Sequence, residues 1–314
     1  MKTALLFPGQ GAQFAGMGKD VAEQFPAAKT IFEKANKIVG FDLTKICFEG
    51  PAELLNTTTM SQPAIFTVSA AILEALKTFP PVATLKPDFT AGLSMGEYTA
   101  LYAAGLITFE DALVLVKLRG QAMQAAADST SGGMVAIIGL DEEKTKALCA
   151  EASQSELLEP VNFNCPGQIA ISGTKSACER AEQLAGQYGA MKAIRLEVAG
   201  AFHTEMMAIA AEGLHVALTD TNIANPGNTK VISNITAEYY SSAEQIRDGL
   251  TKQLTSPILW QKCMERLLAD GVDTFCEIGP GKILTGLMRR INRKANIVNL
   301  SSAANIAELS SKSA

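Results

Sequence analysis

The sequence predicts an α/β protein: a large unit with a mostly parallel sheet, into which a smaller β-α-β-β-α-β unit is inserted. Three observations carry this reading. The opening third alternates short apolar strands with amphipathic helices, a polar glycine-rich break at Asp128-Ser129-Thr130-Ser131-Gly132-Gly133 changes that rhythm, and the first pattern resumes at Ala199. At 314 residues the chain is longer than most single cores, which favours one large domain carrying a smaller one.

In the large unit the pattern gives strands at Thr3 to Phe7 and Asp88 to Ala91. Its helices are Ala27 to Ile38, Gln62 to Phe79, Glu97 to Ala104 and Phe109 to about Ala127. The last of these repeats Phe109, Leu113, Val116, Gly120 and Met123 at helical spacing. After the break come a strand at Met134 to Gly139, a helix at Glu142 to Glu151, strands at Glu159 to Phe163 and Gln168 to Ser172, a helix at Lys175 to Gln187 and a strand at Lys192 to Glu197. That order is ferredoxin-like, and Asn164-Cys165-Pro166-Gly167 supplies the turn between its central strands. The large pattern returns with a helix at Met207 to Leu218, strands at Val231 to Asn234 and Thr274 to Ile278, and a helix at Lys282 to Arg293. Ser301 to Ala314 reads as a loosely held end. The expected domains are therefore 1–128 with 199–314, and an inserted 129–198.

Composition narrows the function. Hydrophobic residues make 47% and charged residues 19% of the chain, which suits a folded α/β enzyme and excludes disorder. No apolar run approaches the roughly 20 residues that cross a bilayer, and Pro8-Gly9 stops the first apolar stretch short of a secretory core. A net charge of −5 gives no general attraction to nucleic acid or to an anionic membrane. The six cysteines fall at irregular intervals without a C-x-x-C pair, so neither a metal site nor a disulfide framework is indicated, and a reducing compartment fits.

Ser94 is the residue on which the functional reading turns. It lies in Gly92-Leu93-Ser94-Met95-Gly96, a G-x-S-x-G between a strand and a helix, the α/β-hydrolase-like place for a nucleophile. The flanking glycines permit a sharp turn, and the helix start offers N–H groups, Met95 first, to a developing oxyanion. The loop Pro8-Gly9-Gln10-Gly11 follows the first strand directly, so Gln10 can present an opposing N–H; the loop lacks the Gly-Lys-Ser/Thr ending of a phosphate cradle.

A serine hydroxyl needs a base, and the chain has two histidines. His203 sits in a small-residue loop, Ala199-Gly200-Ala201-Phe202-His203, whereas His215 lies inside a helix; His203 is the candidate base. Glu205 belongs to a helix start, so no acid is placed to orient it, and a Ser-His dyad steadied by a carbonyl is expected. Such a dyad suffices for a thioester, whose thiolate leaves with a pKa near ~8.5. Arg119 falls beside an apolar helical stripe, where it either pairs with an internal Asp or Glu or clamps a substrate carboxylate; spacing does not choose between these.

These segments, taken with Ser61-Gln62-Pro63-Ala64, Leu118-Arg119-Gly120, Val161-Asn162-Phe163-Asn164-x-Pro166-Gly167-Gln168, Phe202-His203, Gln253-Leu254-x-x-Pro257 and Glu277-Ile278-Gly279-Pro280-Gly281-Lys282, resemble the malonyl-CoA:acyl carrier protein transacylases over essentially the whole chain. These acyltransferases load malonyl units for fatty acid synthesis. The resemblance implies ping-pong transfer from malonyl-CoA through a malonyl-Ser94 ester to the phosphopantetheine thiol of acyl carrier protein, without metal or further cofactor. It implies His203 as base, Gln10 and Met95 as the oxyanion hole, and Arg119 on the malonyl carboxylate, with Gln62 in support. Phe202 would crowd out an α-methyl branch, and the main-chain carbonyl of Gln253 would orient His203. Leu93 departs from the family, which usually has histidine before the nucleophile; the loss removes a polar group near the pocket and leaves the dyad intact. The expected protein is a cytoplasmic monomer, or one of the plastid stroma if the chain is processed, with no nucleic acid or membrane partner. Arg289, Arg290, Arg293 and Lys294 form its densest basic cluster, either a carrier-protein contact or a solvated face. An esterase built on the same nucleophile, or a non-catalytic carrier-binding protein, are the alternatives at this point.

Overall fold

The computed structural model describes residues 2–78 and 87–312. Strands β1 (Thr3–Phe7), β2 (Phe89–Gly92), β7 (Lys230–Val231), β8 (Thr274–Ile278) and β9 (Asn296–Leu300) form one sheet in the order β7-β2-β1-β8-β9, every pair parallel. Strand β1 shows why its sequence is continuously apolar. Leu5 and Phe7 enter the core on one face, while Ala4 and Leu6 enter the core on the other, as alternation across a strand covered on both sides requires. The helices Pro26–Val39, Thr58–Lys77 and Phe109–Asp128 cover the first face, and Trp260–Ala269 and Ile283–Ile291 the second.

Strands β3 (Gly132–Ile138), β4 (Leu158–Cys165), β5 (Gln168–Thr174) and β6 (Lys192–Arg195) form an antiparallel sheet in the order β4-β5-β3-β6. This is the ferredoxin-like order. Val135, Ile137 and Ile171 pack under the helices Glu142–Ser153 and Lys175–Leu184 as a separate core, while Met134, Val161 and Ala170 join the core of the large unit. The two units are also stitched by backbone: Phe163 N–H donates to Ile258 O at 2.9 Å, and Ile258 N–H to Val161 O at 2.7 Å.

Four differences from the sequence reading have physical causes. Ser301 to Lys312 is not loose: a helix spans Ala303–Lys312, its Ala303 N–H donates to Asp20 Oδ2 at 2.7 Å, and Ala303 and Ile306 are buried. Strand β9 was not expected, because its polar Asn296 and Asn299 break the apolar run. The strand expected over Val231 to Asn234 leaves the ladder after Val231, which turns Asn234 toward Ser94. The helix expected from Gln62 starts at Thr58, with Pro63 inside it, and its expected end at Phe79 lies outside the described residues.

The helix Gly96–Ala103 begins against β1. A Cβ at Gly96 would stand 2.3 Å from Phe7 O and 2.9 Å from Pro8 O, and backbone atoms cannot yield as a flexible side chain would. Gly96→Ala is therefore expected to lower stability by about 1–3 kcal/mol or more, read from the midpoint of urea unfolding; an unchanged midpoint would show that the approach is not this close.

Candidate active site

Ser94 occupies the turn between β2 and the helix Gly96–Ala103 with φ 52°, a left-handed conformation that L-residues avoid. Two features hold it there. A Cβ at Gly92 would meet the Gly96 carbonyl at 1.9 Å, so only glycine lets the turn close this tightly. Asn234 ties the turn from outside: its Oδ1 accepts from Ser94 N–H at 2.7 Å and its Nδ2 donates to Gly92 O at 2.8 Å.

His203 is the second strained residue, with φ 64°, and is 3% exposed. Its Nε2 lies 3.0 Å from Ser94 Oγ, and its Nδ1 lies 2.8 Å from the main-chain oxygen of Gln253. A carbonyl only accepts, so Nδ1 carries the proton and donates, leaving Nε2 unprotonated toward the hydroxyl. His215 is exposed on the helix Ala208–Asp220 and takes no part, and Glu205 is exposed in the turn that follows His203.

Arg119 is 1% exposed, deep in the helix Phe109–Asp128. Its Nη1 donates to Gln62 Oε1 at 2.8 Å, and its Nη2 donates to Gln253 Oε1 at 2.9 Å and to Ser94 Oγ at 3.0 Å. Its guanidinium lies over the Tyr98 ring, 5.9 Å from the centroid. Among the described residues it makes no ion pair with a carboxylate. Among the described residues the internal ion pair that its spacing allowed is absent; its hydrogen bonds go to neutral oxygens, and its Nε is buried without an acceptor.

These groups open on a cavity of about 390 Å³. Gln10 of the first loop, Leu93 and Ser94 of the turn, Arg119, Met134 and Asn162 of the small sheet, and Phe202 with His203 border it. Gln62 and Gln253 stand behind that wall, fully buried, as partners of Arg119. Among the described residues the backbone N–H groups of Gln10 and Met95 have no protein acceptor; Gln10 borders the cavity, whereas Met95 is fully buried behind Ser94 and does not line it. Among the described residues no group of three or more His, Cys, Asp or Glu is placed to hold a metal, and no helix is long and apolar enough to cross a membrane. The basic cluster is partly committed: Arg290 donates to Gln168 Oε1 at 3.0 Å and to Pro166 O at 3.1 Å, bracing the β4–β5 turn.

Sequence reasoning missed Asn234, whose short polar side chain sat in an expected strand, and it missed the role of Glu97. Glu97 follows the nucleophile motif inside a buried apolar run, and that placement was the available signal. Its Oε2 accepts from Gln253 Nε2 at 2.6 Å and from Asn234 N–H at 3.3 Å, and its Oε1 from Tyr240 OH at 2.5 Å.

The electrostatics follow from burial. Loss of water first, and the Arg119 cation second, push the His203 imidazole down to about 3, with the Gln253 carbonyl opposing both. Burial pulls Arg119 below its ordinary value, although a guanidinium stays charged. Burial pushes Glu97 up to about 7, against the three donors that favour its ionised form and the Arg119 charge.

A family model described as an acyl transferase domain matches residues 4–309. The chain is 44% identical over 301 residues to the malonyl CoA-acyl carrier protein transacylase of Bacillus subtilis, covering 96% of this chain and 93% of that one. It is similar to the crystal structure of an acyl-carrier-protein S-malonyltransferase from Bartonella henselae, with TM-score 0.94, 39% identity and coverage of 100% and 99%. A malonyl-transacylase solved in complex with its type II PKS acyl-carrier protein superposes with TM-score 0.93 at 38% identity, covering 98% of each chain. The chain therefore belongs to the acyl transferase family, and within it to the malonyl CoA-acyl carrier protein transacylases.

The depressed His203 basicity carries a stability signature. The unfolded imidazole takes a proton near pH ~6.5 and the folded one only near about 3, so this contribution is present above ~6.5 and is lost as pH falls toward 3. Glu97, shifted upward, acts in the opposite sense between its ordinary range and about 7, so the difference between wild type and His203→Gln isolates the imidazole. Between pH ~7 and ~4 the wild type is expected to lose about 3 kcal/mol relative to His203→Gln in urea unfolding; parallel pH curves would place the imidazole in water.

Proposed function

We propose that this chain transfers the malonyl group from malonyl-CoA to the phosphopantetheine thiol of acyl carrier protein, supplying fatty acid biosynthesis, through a malonyl ester on Ser94. The observation that carries the reading is Arg119: a desolvated cation without a contacting carboxylate, bonded at 3.0 Å to the hydroxyl that would carry the acyl group. Such a site favours an acyl chain that brings its own anion, and an esterase has no need of one.

In the forward half-reaction Ser94 Oγ attacks the thioester carbonyl while its proton passes to His203 Nε2. The N–H groups of Gln10 and Met95 receive the oxyanion. The intermediate collapses by breaking the C–S bond, and the proton on Nε2 goes to the departing CoA thiolate. The second half reverses these steps, with His203 deprotonating the carrier thiol as it attacks the ester. Gln253 keeps the imidazole in the required tautomer through its main-chain oxygen, a neutral acceptor where an aspartate would otherwise stand. Arg119, supported by Gln62, grips the malonyl carboxylate, and Phe202 narrows the space beside the acyl α-carbon. Residues 129–198, taken as the small subdomain, supply the facing wall with Met134 and Asn162. The reading includes a cytoplasmic monomer that needs no cofactor. The carrier protein approaches the mouth of the cavity, and Arg289, Arg293 and Lys294 are the remaining candidates of the basic cluster for its acidic surface.

Intact mass after mixing with malonyl-CoA, acetyl-CoA or methylmalonyl-CoA tests this. A malonyl adduct absent from Ser94→Ala and discharged by holo acyl carrier protein is the expected result; no adduct from any of the three would sink the reading. Arg119→Ala should lower kcat/KM for malonyl-CoA by roughly 30-fold or more, the cost of removing one partner of a buried charge pair, with little loss for acetyl-CoA. Equal losses for both thioesters would mean that Arg119 is not a carboxylate clamp.

A further inference from the structure

We propose that Glu97 is a positioning residue for acyl selectivity: through the side-chain amide of Gln253 it aims Arg119 at the acyl group carried by Ser94. This rests on the reading of Arg119 as the carboxylate clamp and adds what sets that clamp.

The geometry is a relay of charge, dipole and charge. Gln253 Nε2 donates to Glu97 Oε2 at 2.6 Å and to Ser94 O at 3.1 Å, while Gln253 Oε1 accepts from Arg119 Nη2 at 2.9 Å. Glu97, Gln253 and Arg119 are each buried, so nothing from solvent competes for these bonds. An amide has two ends of opposite polarity, and the wrong way round its NH2 group would face the guanidinium. With a carboxylate at the nitrogen end and a cation at the oxygen end, one orientation remains. That orientation splays Arg119 between two carbonyl oxygens, Gln62 Oε1 and Gln253 Oε1, and leaves Nη2 facing Ser94 Oγ.

Glu97 is itself fixed from its other side. Tyr240 OH donates to Oε1 and the Asn234 main-chain N–H to Oε2, and Asn234 in turn holds the Ser94 turn. One buried carboxylate thus ties the element bearing the nucleophile to the element that aims the clamp. It touches neither the acyl group nor His203, and Asn234 holds the Ser94 turn through its own side chain, so the larger effect falls on which acyl group is accepted and the smaller on the attack itself.

The test compares Glu97→Gln, which keeps an oxygen for Gln253 Nε2, with Glu97→Met, which removes it at similar volume. The readout is the ratio of kcat/KM for malonyl-CoA to that for acetyl-CoA. Glu97→Met should lower the ratio by about 10-fold or more, the effect of misdirecting one charged hydrogen bond, with acetyl transfer within about 3-fold of wild type; Glu97→Gln should restore most of the ratio. Gln253→Leu breaks the same relay, and adding Glu97→Met to it should lower the ratio no further. An unchanged ratio in Glu97→Met, equal losses with both thioesters, or a Glu97→Gln protein as unselective as Glu97→Met would each overturn the proposal. If Glu97→Met does not fold, Gln253→Leu decides: a retained ratio overturns it. A wild-type protein that does not prefer malonyl-CoA would instead overturn the clamp reading beneath it.

Discussion

The site depends on a guanidinium held out of water without an anion at contact distance. Removing a cation from solvent costs several kcal/mol unless bonds replace its hydration. Arg119 has replaced it with the oxygens of Gln62, Gln253 and Ser94 and with the face of Tyr98. These partners take up Nη1 and Nη2 but leave Nε buried without an acceptor among the described residues, and they leave the charge unmet. The unmet charge shapes the neighbourhood: it helps hold His203 neutral, it draws on the carboxylate of Glu97 through one intervening amide, and it favours a ligand that carries a carboxylate.

The hydroxyl and imidazole beside that charge sit on strained backbone, and the braces that hold it are spread over the fold. Ser94 and His203 both hold positive φ, on segments brought together by β2 and by the loop that follows β6. The Ser94 turn is braced by Asn234, which leaves the β7 ladder to reach it, and by the close approach of Gly92 and Gly96. The His203 ring is braced by the carbonyl of Gln253. Each brace comes from a different part of the chain, so the pairing of hydroxyl and imidazole is a property of the whole large unit rather than of one motif.

Local sequence carried some of this and not the rest. Ser94 was legible because glycines at both flanks and a strand-to-helix switch leave few structural alternatives. His203 was legible because the only other histidine sits on a helix. The position of Arg119 was legible from helical spacing, but its partners were not: whether it met a carboxylate depended on residues 57 and 134 positions away, Gln62 and Gln253, known beforehand only through family likeness. Asn234 and the role of Glu97 escaped because a polar residue in an apolar run looks the same whether it is satisfied by structure or recruited to a site. The ferredoxin-like order was legible from alternation alone, whereas β9 and the final helix depend on docking against β8 and Asp20, which no local pattern reports.

The most direct measurement of the central claim is a crystal structure of the protein after reaction with malonyl-CoA. The expected density is a malonyl ester on Ser94 Oγ, its free carboxylate within hydrogen-bond distance of the Arg119 guanidinium, with Gln62 and Gln253 still holding that guanidinium from behind. An ester whose carboxylate points into solvent, with Arg119 bonded as it is here, would contradict the claim.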